Sequence, residues 1–226
     1  MTVSEYDTSA GHAGGDATVA PDLRSALRAA THALHRRLDH APEQRALLAP
    51  ELRVEHYLGI MTRHRRALAE SEAVLSALEH ARPSALPAYR PRLDALDADI
   101  VRLQGGTHAH AGSEAPTSGS DGVLDADVAT GRYLGTRYVL EGSTQGAAAI
   151  ARRLEHHLPA LRRDAFAYWD LQADETERWH ALANLLAALP ASDRRARAAI
   201  DAARDAFGAF LRAFDIDRDE GSEALS

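Results

Sequence analysis

From residue 21 onward, apolar residues recur at three- and four-residue intervals in long blocks separated by proline, glycine and polar runs. The first block puts Leu23, Leu27, Ala30, Leu34 and Leu38 on one helical stripe. Asp22 is placed to cap its first turn, and Pro42 sets its end near His40. A second helix is predicted from about Val54 to Glu79, with Tyr57, Leu58, Met61, Leu68, Val74, Leu75 and Leu78 as its apolar positions. After Pro83 and Pro87 a shorter one covers about Arg92 to Leu103, with Pro91 at its first turn. Further helices follow Pro159, carrying Phe166, Tyr168 and Trp169, then span roughly Glu175 to Leu189, and finally Asp193 to Phe214. The last has Ala199, Ile200, Ala203, Phe207, Phe210, Leu211 and Phe214 on its apolar face. Residues 1–20, 104–122 and 216–226 lose this periodicity, so they read as a disordered tail, a flexible inserted loop and a second tail around one domain at 21–215.

One block departs from the rest. Between about Asp125 and His157 the helical pattern contains Gly131, Gly135, Gly142 and Gly146, at spacings of four, seven and four. At about 100° per residue these fall within roughly 60° of each other, a bare strip of backbone on one face. Each interior glycine costs a helix about 0.8 to 1 kcal/mol relative to alanine, so something should lie close against the strip. Two occupants suit it: a second helix, since small residues let backbones approach, or a flat ligand that needs backbone beneath it. A bend is expected where Gly142 and Gly146 weaken the helix.

Composition narrows the class. Few β-branched residues and many Ala, Leu, Arg and Glu favour an all-α protein, and 226 residues suffice for one domain with a substantial core. All 26 basic residues are arginine, which gives a single arginine little weight as a functional marker. The formal charge of −7 argues against a nucleic-acid partner. Residues 21–70 run the other way, with nine arginines against six acids, a net +3. The absence of cysteine removes disulfides, thiolate catalysis and zinc–cysteine sites. With neither a membrane-length apolar run nor a signal-like N-terminus, the expected location is cytoplasmic, away from any membrane.

Position must choose among 12 histidines. His80, His156 and His157 lie near predicted helix C-termini, where surface roles suffice, and His32 and His40 sit among charged neighbours. His108 and His110 fall in the inserted loop. His35 lies about 40° from Thr31 and 60° from Leu38 on the flank of the first stripe, which suggests partial burial. A dinuclear iron centre would need two Glu-x-x-His elements, and the chain has one, Glu177-Arg-Trp-His180. No phosphate loop, dinucleotide fingerprint or Ser-His-Asp grouping stands out.

Two stretches together carry a resemblance. Leu27-Arg-Ala-Ala-Thr-His-Ala-Leu-His35-Arg-Arg-Leu-Asp39, followed about a hundred residues later by Tyr138-Val-Leu-Glu-Gly-Ser-Thr-Gln-Gly146, resembles the heme oxygenases. It is similar in particular to the bacterial enzymes that supply biliverdin to phytochromes. The resemblance implies an all-α, single-domain bundle that holds heme between a proximal helix and a distal helix kinked at glycines. It implies oxidative cleavage of heme to biliverdin, CO and ferrous iron, with dioxygen and an external electron donor such as a ferredoxin or reductase. A heme carrier or sensor with little turnover is the alternative on the same fold.

Residue by residue, His35 matches the proximal iron ligand, and Gly142 and Gly146 match the distal glycines. Ser143 stands where several relatives carry a water-ordering aspartate. Arg28 matches a basic partner of a heme propionate; Arg137, Tyr138 and His180 are further propionate candidates, and Phe207 is a candidate wall of the pocket. Neutral imidazole suits iron, and a carboxylate on its other nitrogen would tune it. Dioxygen must be accommodated over the macrocycle without a large side chain, which glycine backbone permits. Heme is then both cofactor and substrate, and the protein contributes orientation and proton delivery. The chain departs from the family at Ala147 and Ala148, where a second glycine and a polar residue are common.

Overall fold

The computed structural model describes residues 21–105, 125–173 and 175–216. Its helices are α1 (Leu23–Asp39), α2 (Pro42–Ala46), α3 (Val54–Ala77), α4 (Leu93–Leu103), α5 (Ala126–Gly142), α6 (Thr144–His157), α7 (Pro159–Asp164), α8 (Ala167–Ala173), α9 (Thr176–Ala187) and α10 (Arg194–Ala213), with a 3₁₀ turn at Glu79–Ala81. The all-α, single-domain expectation therefore holds for these residues, which lack any strand beyond one isolated bridge, Asp22 to Pro190. No helix among them is long and apolar enough to cross a membrane. The loop histidines His108 and His110 and both expected tails, apart from Ile216, lie outside the described residues.

Two differences from the periodic pattern have local causes. α2 is five residues long and too short to display a period. The block after Pro159 divides into α7 and α8 because Ala165, at φ −155° and ψ 65°, leaves the helical region. Ala165 and Phe166 are both buried, so the chain turns inward there.

The most extensive helix contact is α5 against α10. A Cβ on Gly131 would run into the Arg195 carbonyl oxygen, and one on Gly135 into the backbone of Ala199. Ala196, Ala199, Ala202, Ala203 and Ala206 make the facing surface of α10 equally small, so the two backbones come close together.

α1 joins the same layer. Asp22 caps it by accepting from Ser25 N at 2.7 Å, while Leu23 N donates to Leu189 O at 2.8 Å and Ala191 N to Pro21 O at 3.2 Å. Contacts ascend together on all three helices. Leu23 meets Leu189 and His35 meets Phe207; Gly131 meets Arg195 and Gly135 meets Ala199. Thus α1, α5 and α10 run in the same sense.

Helices α3, α4 and α8 are tied by caps supplied from other helices. The Glu72 carboxylate of α3 accepts from Arg92 N at 2.7 Å and Leu93 N at 3.3 Å, satisfying the first amides of α4. Asp99 of α4 does the same for α8 through Ala167 N at 3.1 Å and Tyr168 N at 2.9 Å.

Candidate functional site

His35 projects from α1 beside the edge of Phe207 on α10, ring centroids 5.8 Å apart at 60°. Its side chain is 60% exposed, more than its place beside the apolar stripe suggested. Nδ1 faces Asp39 Oδ2 at 2.7 Å, one turn along the helix. A carboxylate there holds the proton on Nδ1 and leaves the Nε2 lone pair available to a metal. Phe207 is buried, with its ring edge beside the imidazole.

The glycine helix breaks where it was expected to bend. α5 ends at Gly142 and α6 starts at Thr144, with Ser143 at φ −62° and ψ −24° between them. Backbone bonds across the junction are Ser143 N to Val139 O at 3.1 Å and Gly146 N to Ser143 O at 3.3 Å. Hydroxyls cover the carbonyls left over: Ser143 Oγ donates to Leu140 O and Thr144 Oγ1 to Glu141 O, each at 2.7 Å. Ser143 therefore keeps its oxygen lone pairs but has committed its proton. A Cβ on Gly146 would meet nothing within 4 Å, and one on Gly142 would touch only the Trp179 ring at 3.5 Å. Ala147, by contrast, is buried with its methyl in the core, so this departure from the family pattern does not project into the open side.

Tyr138 links the two halves. It is half-buried, its hydroxyl sits beside Thr31 of α1, and its ring lies 5.8 Å from that of Trp179 on α9. Burial raises the phenol pKa; Thr31, Arg24 and Arg28 oppose the shift. One turn beyond Thr31 comes His35, and one turn beyond Tyr138 comes Gly142, each about 6 Å further along helices that run in the same sense. Arg28 and His180 are exposed, Arg28 on the Tyr138 side of α1 and His180 next to Trp179.

These residues fit a heme: an exposed imidazole with a free Nε2, an aromatic edge beside it, open glycine backbone one helix away, and an exposed arginine one heptad before the histidine. A dinuclear centre has no comparable support. No three His, Cys, Asp or Glu side chains converge into a metal-binding group among the described residues.

Arg137 does not belong to this group. It is fully buried, donating from Nε to Glu141 Oε1 at 2.7 Å and from Nη1 to the Pro87 carbonyl at 2.7 Å and Tyr133 Oη at 3.1 Å. One residue is about 100° of helix rotation, enough to turn it away from the face that Tyr138 and Gly142 share. The expectation of a propionate contact from Arg137 is overturned by this placement.

Behind the glycine face lies a buried polar network that local sequence patterns did not reveal. Arg92, at the head of α4, is 1% exposed and reaches Tyr89, Gln172 and the Leu140 carbonyl. Glu141 is 1% exposed; burial raises its carboxyl pKa, with the Arg137 guanidinium opposing. Glu141 Oε2 and Arg137 Nη2 make no hydrogen bond within the structure. Glu175, also buried, stands among Arg90 and Arg178. Partners here are 48 and 80 residues apart in sequence, beyond the reach of helical periodicity.

A family model described as heme oxygenase matches residues 21–215, which is every helix of the fold together with the histidine and the glycines just described. No curated protein matches the chain. Matched over most of its length, this all-α chain belongs to the heme oxygenase family.

Proposed function

We propose that the protein is a working heme oxygenase, cleaving heme to biliverdin, CO and ferrous iron with dioxygen and external electrons. One observation carries the reading: His35, with its Nδ1 proton held by Asp39, stands one turn past a contact from which Gly142 also stands one turn on. Bound heme would supply the iron that activates dioxygen and the macrocycle that is opened. His35 Nε2 would hold the iron, and Asp39 would keep the ring in the donor tautomer. Gly142 and Gly146 would leave room above the macrocycle, where Ser143 Oγ would accept hydrogen bonds from ordered water. Arg28, Tyr138 and His180 would receive the propionates, and Phe207 would exclude water from the proximal side. A ferredoxin or reductase in the cytoplasm would supply the electrons. The Tyr138-Val-Leu-Glu-Gly-Ser143 run favours a phytochrome as recipient of the biliverdin.

A second reading, a carrier or sensor of heme, has its own support. No carboxylate lies on the glycine face at Ser143, and Glu141 is turned into the core against Arg137. Hemin plus ascorbate or reduced ferredoxin under air separates the two: a biliverdin absorbance band is expected, and persistent heme would favour the carrier. The His35→Ala variant should lose the histidine-ligated ferric spectrum while keeping its fold; an unchanged spectrum would remove the ligand assignment.

A further inference from the structure

We propose that Arg92 is a positioning residue for the distal side of the site, fixing the angle at which α6 leaves α5. Its consequence for product rests on the heme oxygenase reading; its effect on the junction does not. A guanidinium buried to 1% exposure without a directly bonded carboxylate is costly unless its donors are met. Here they are met by three separate parts of the fold. Nε and Nη2 donate to Tyr89 Oη at 3.2 and 3.1 Å, Nη1 to Gln172 Oε1 of α8 at 3.1 Å, and Nη2 to the Leu140 carbonyl of α5 at 2.8 Å. Charge balance arrives through a relay: Tyr89 Oη donates to Glu72 Oε1 at 2.9 Å, and that same oxygen accepts from Arg92 N.

Leu140 is where the helical ladder changes over. Its carbonyl accepts from Arg92 and from Ser143 Oγ, the residue between the two helices. A planar fork ties α8, α5 and the head of α4 together at the Leu140 carbonyl, and the direction in which α6 departs is set there. The clearance over Gly142 and Gly146 follows from that departure. Arg92 reaches the open face only through Leu140, and so acts on geometry. A lysine would preserve the charge but offers one ammonium where the fork spans three partners.

The test uses the full chain. Hydrogen exchange of the ligand-free protein should show the amides of Ser143 and Gly146, which bond Val139 O and Ser143 O across the junction, opening about tenfold more often in Arg92→Lys and Arg92→Gln, with the α10 amides of Ala199 to Phe210 changed by less than about twofold. Equal effects in both segments, or none at the junction, would overturn the proposal. With hemin, ascorbate and air, both variants should yield several-fold more of the minor biliverdin isomers by chromatography. If Arg92→Lys restores the wild-type exchange and isomer ratio, charge alone suffices and the positioning role is wrong. If the Arg92 variants fail to fold, Tyr89→Phe keeps the guanidinium and removes one acceptor; it should raise junction exchange by a smaller factor, and no rise there would equally refute the role. Should the wild-type protein not take up hemin, the functional reading falls while the exchange experiment still decides the part played by Arg92.

Discussion

At Gly135 a methyl group would collide with the backbone of Ala199, whereas at Gly146, eleven residues along the same run of chain, it would meet nothing within 4 Å. The first pair of glycines, Gly131 and Gly135, recovers its helix-propensity cost through close packing of α5 on α10. The second pair, Gly142 and Gly146, recovers nothing comparable within the protein. A strip that looks uniform in sequence is therefore two strips, one satisfied by a helix and one left open on the side of His35. Of the two occupants that the spacing allowed, the neighbouring helix lies on the first pair, and the open pair is where we propose the flat ligand.

The sharpest way to break this contrast is Gly135→Ala, which should destabilise the fold by about 3 kcal/mol or more because backbone cannot move aside. Urea unfolding reads it directly, and an unshifted midpoint would dissolve the packing half of the comparison. On the open half, Gly142→Leu should cut biliverdin formation about tenfold while hemin uptake changes much less, since its only close neighbour is the Trp179 ring. Parallel losses in both measurements would mean that the added side chain blocks entry.

The division between packed and open sides extends to the histidines. His35 is 60% exposed, but His64 is wedged against Tyr168, whose hydroxyl lies 2.5 Å from Nε2, and against the Phe210 ring. Burial, reinforced by the Arg92 charge, lowers the His64 pKa from 6.5 to about 4. The folded state thus binds this proton less readily than the unfolded chain. Stability owed to His64 is constant above pH 6.5 and declines as pH falls from there toward 4, with a slope of at most about 1.4 kcal/mol per pH unit. His64→Phe should remove that part of the slope; superimposable urea profiles for the two proteins would show that His64 titrates freely. The smallest effect has the opposite sign: Gly146→Ala should stabilise by about 0.5–1 kcal/mol, as in an unobstructed helix. A loss of stability there would show that the face is not open.

Legibility followed the range of the interaction. Asp22 capping α1, the ends of α3 and α4, and the apolar face of α10 all depend on neighbours within a few turns, and periodicity and capping place them closely. The break between α5 and α6 was visible for the same reason, though the two glycines do not identify Ser143 as the hinge residue. His35 and Gly142 emerged as a pair through resemblance, since nothing local relates residues a hundred positions apart. Arg92 and the true setting of Arg137 stayed hidden. In a chain whose basic residues are all arginine, identity does not separate a buried guanidinium from a solvated one. Their partners, Leu140, Gln172 and Pro87, come from distant segments.

The backbone bond from Leu23 N to Leu189 O, with Phe207 beside His35, also governs when during synthesis the site can exist. The imidazole leaves the ribosome ahead of the residues that seat its helix. The residues that seat that helix are made more than 150 positions later, roughly 10 to 30 s at ordinary elongation rates. Over that interval a nascent chain carries His35 without Phe207 behind it, and under the proposed function heme capture waits for the synthesis of α10.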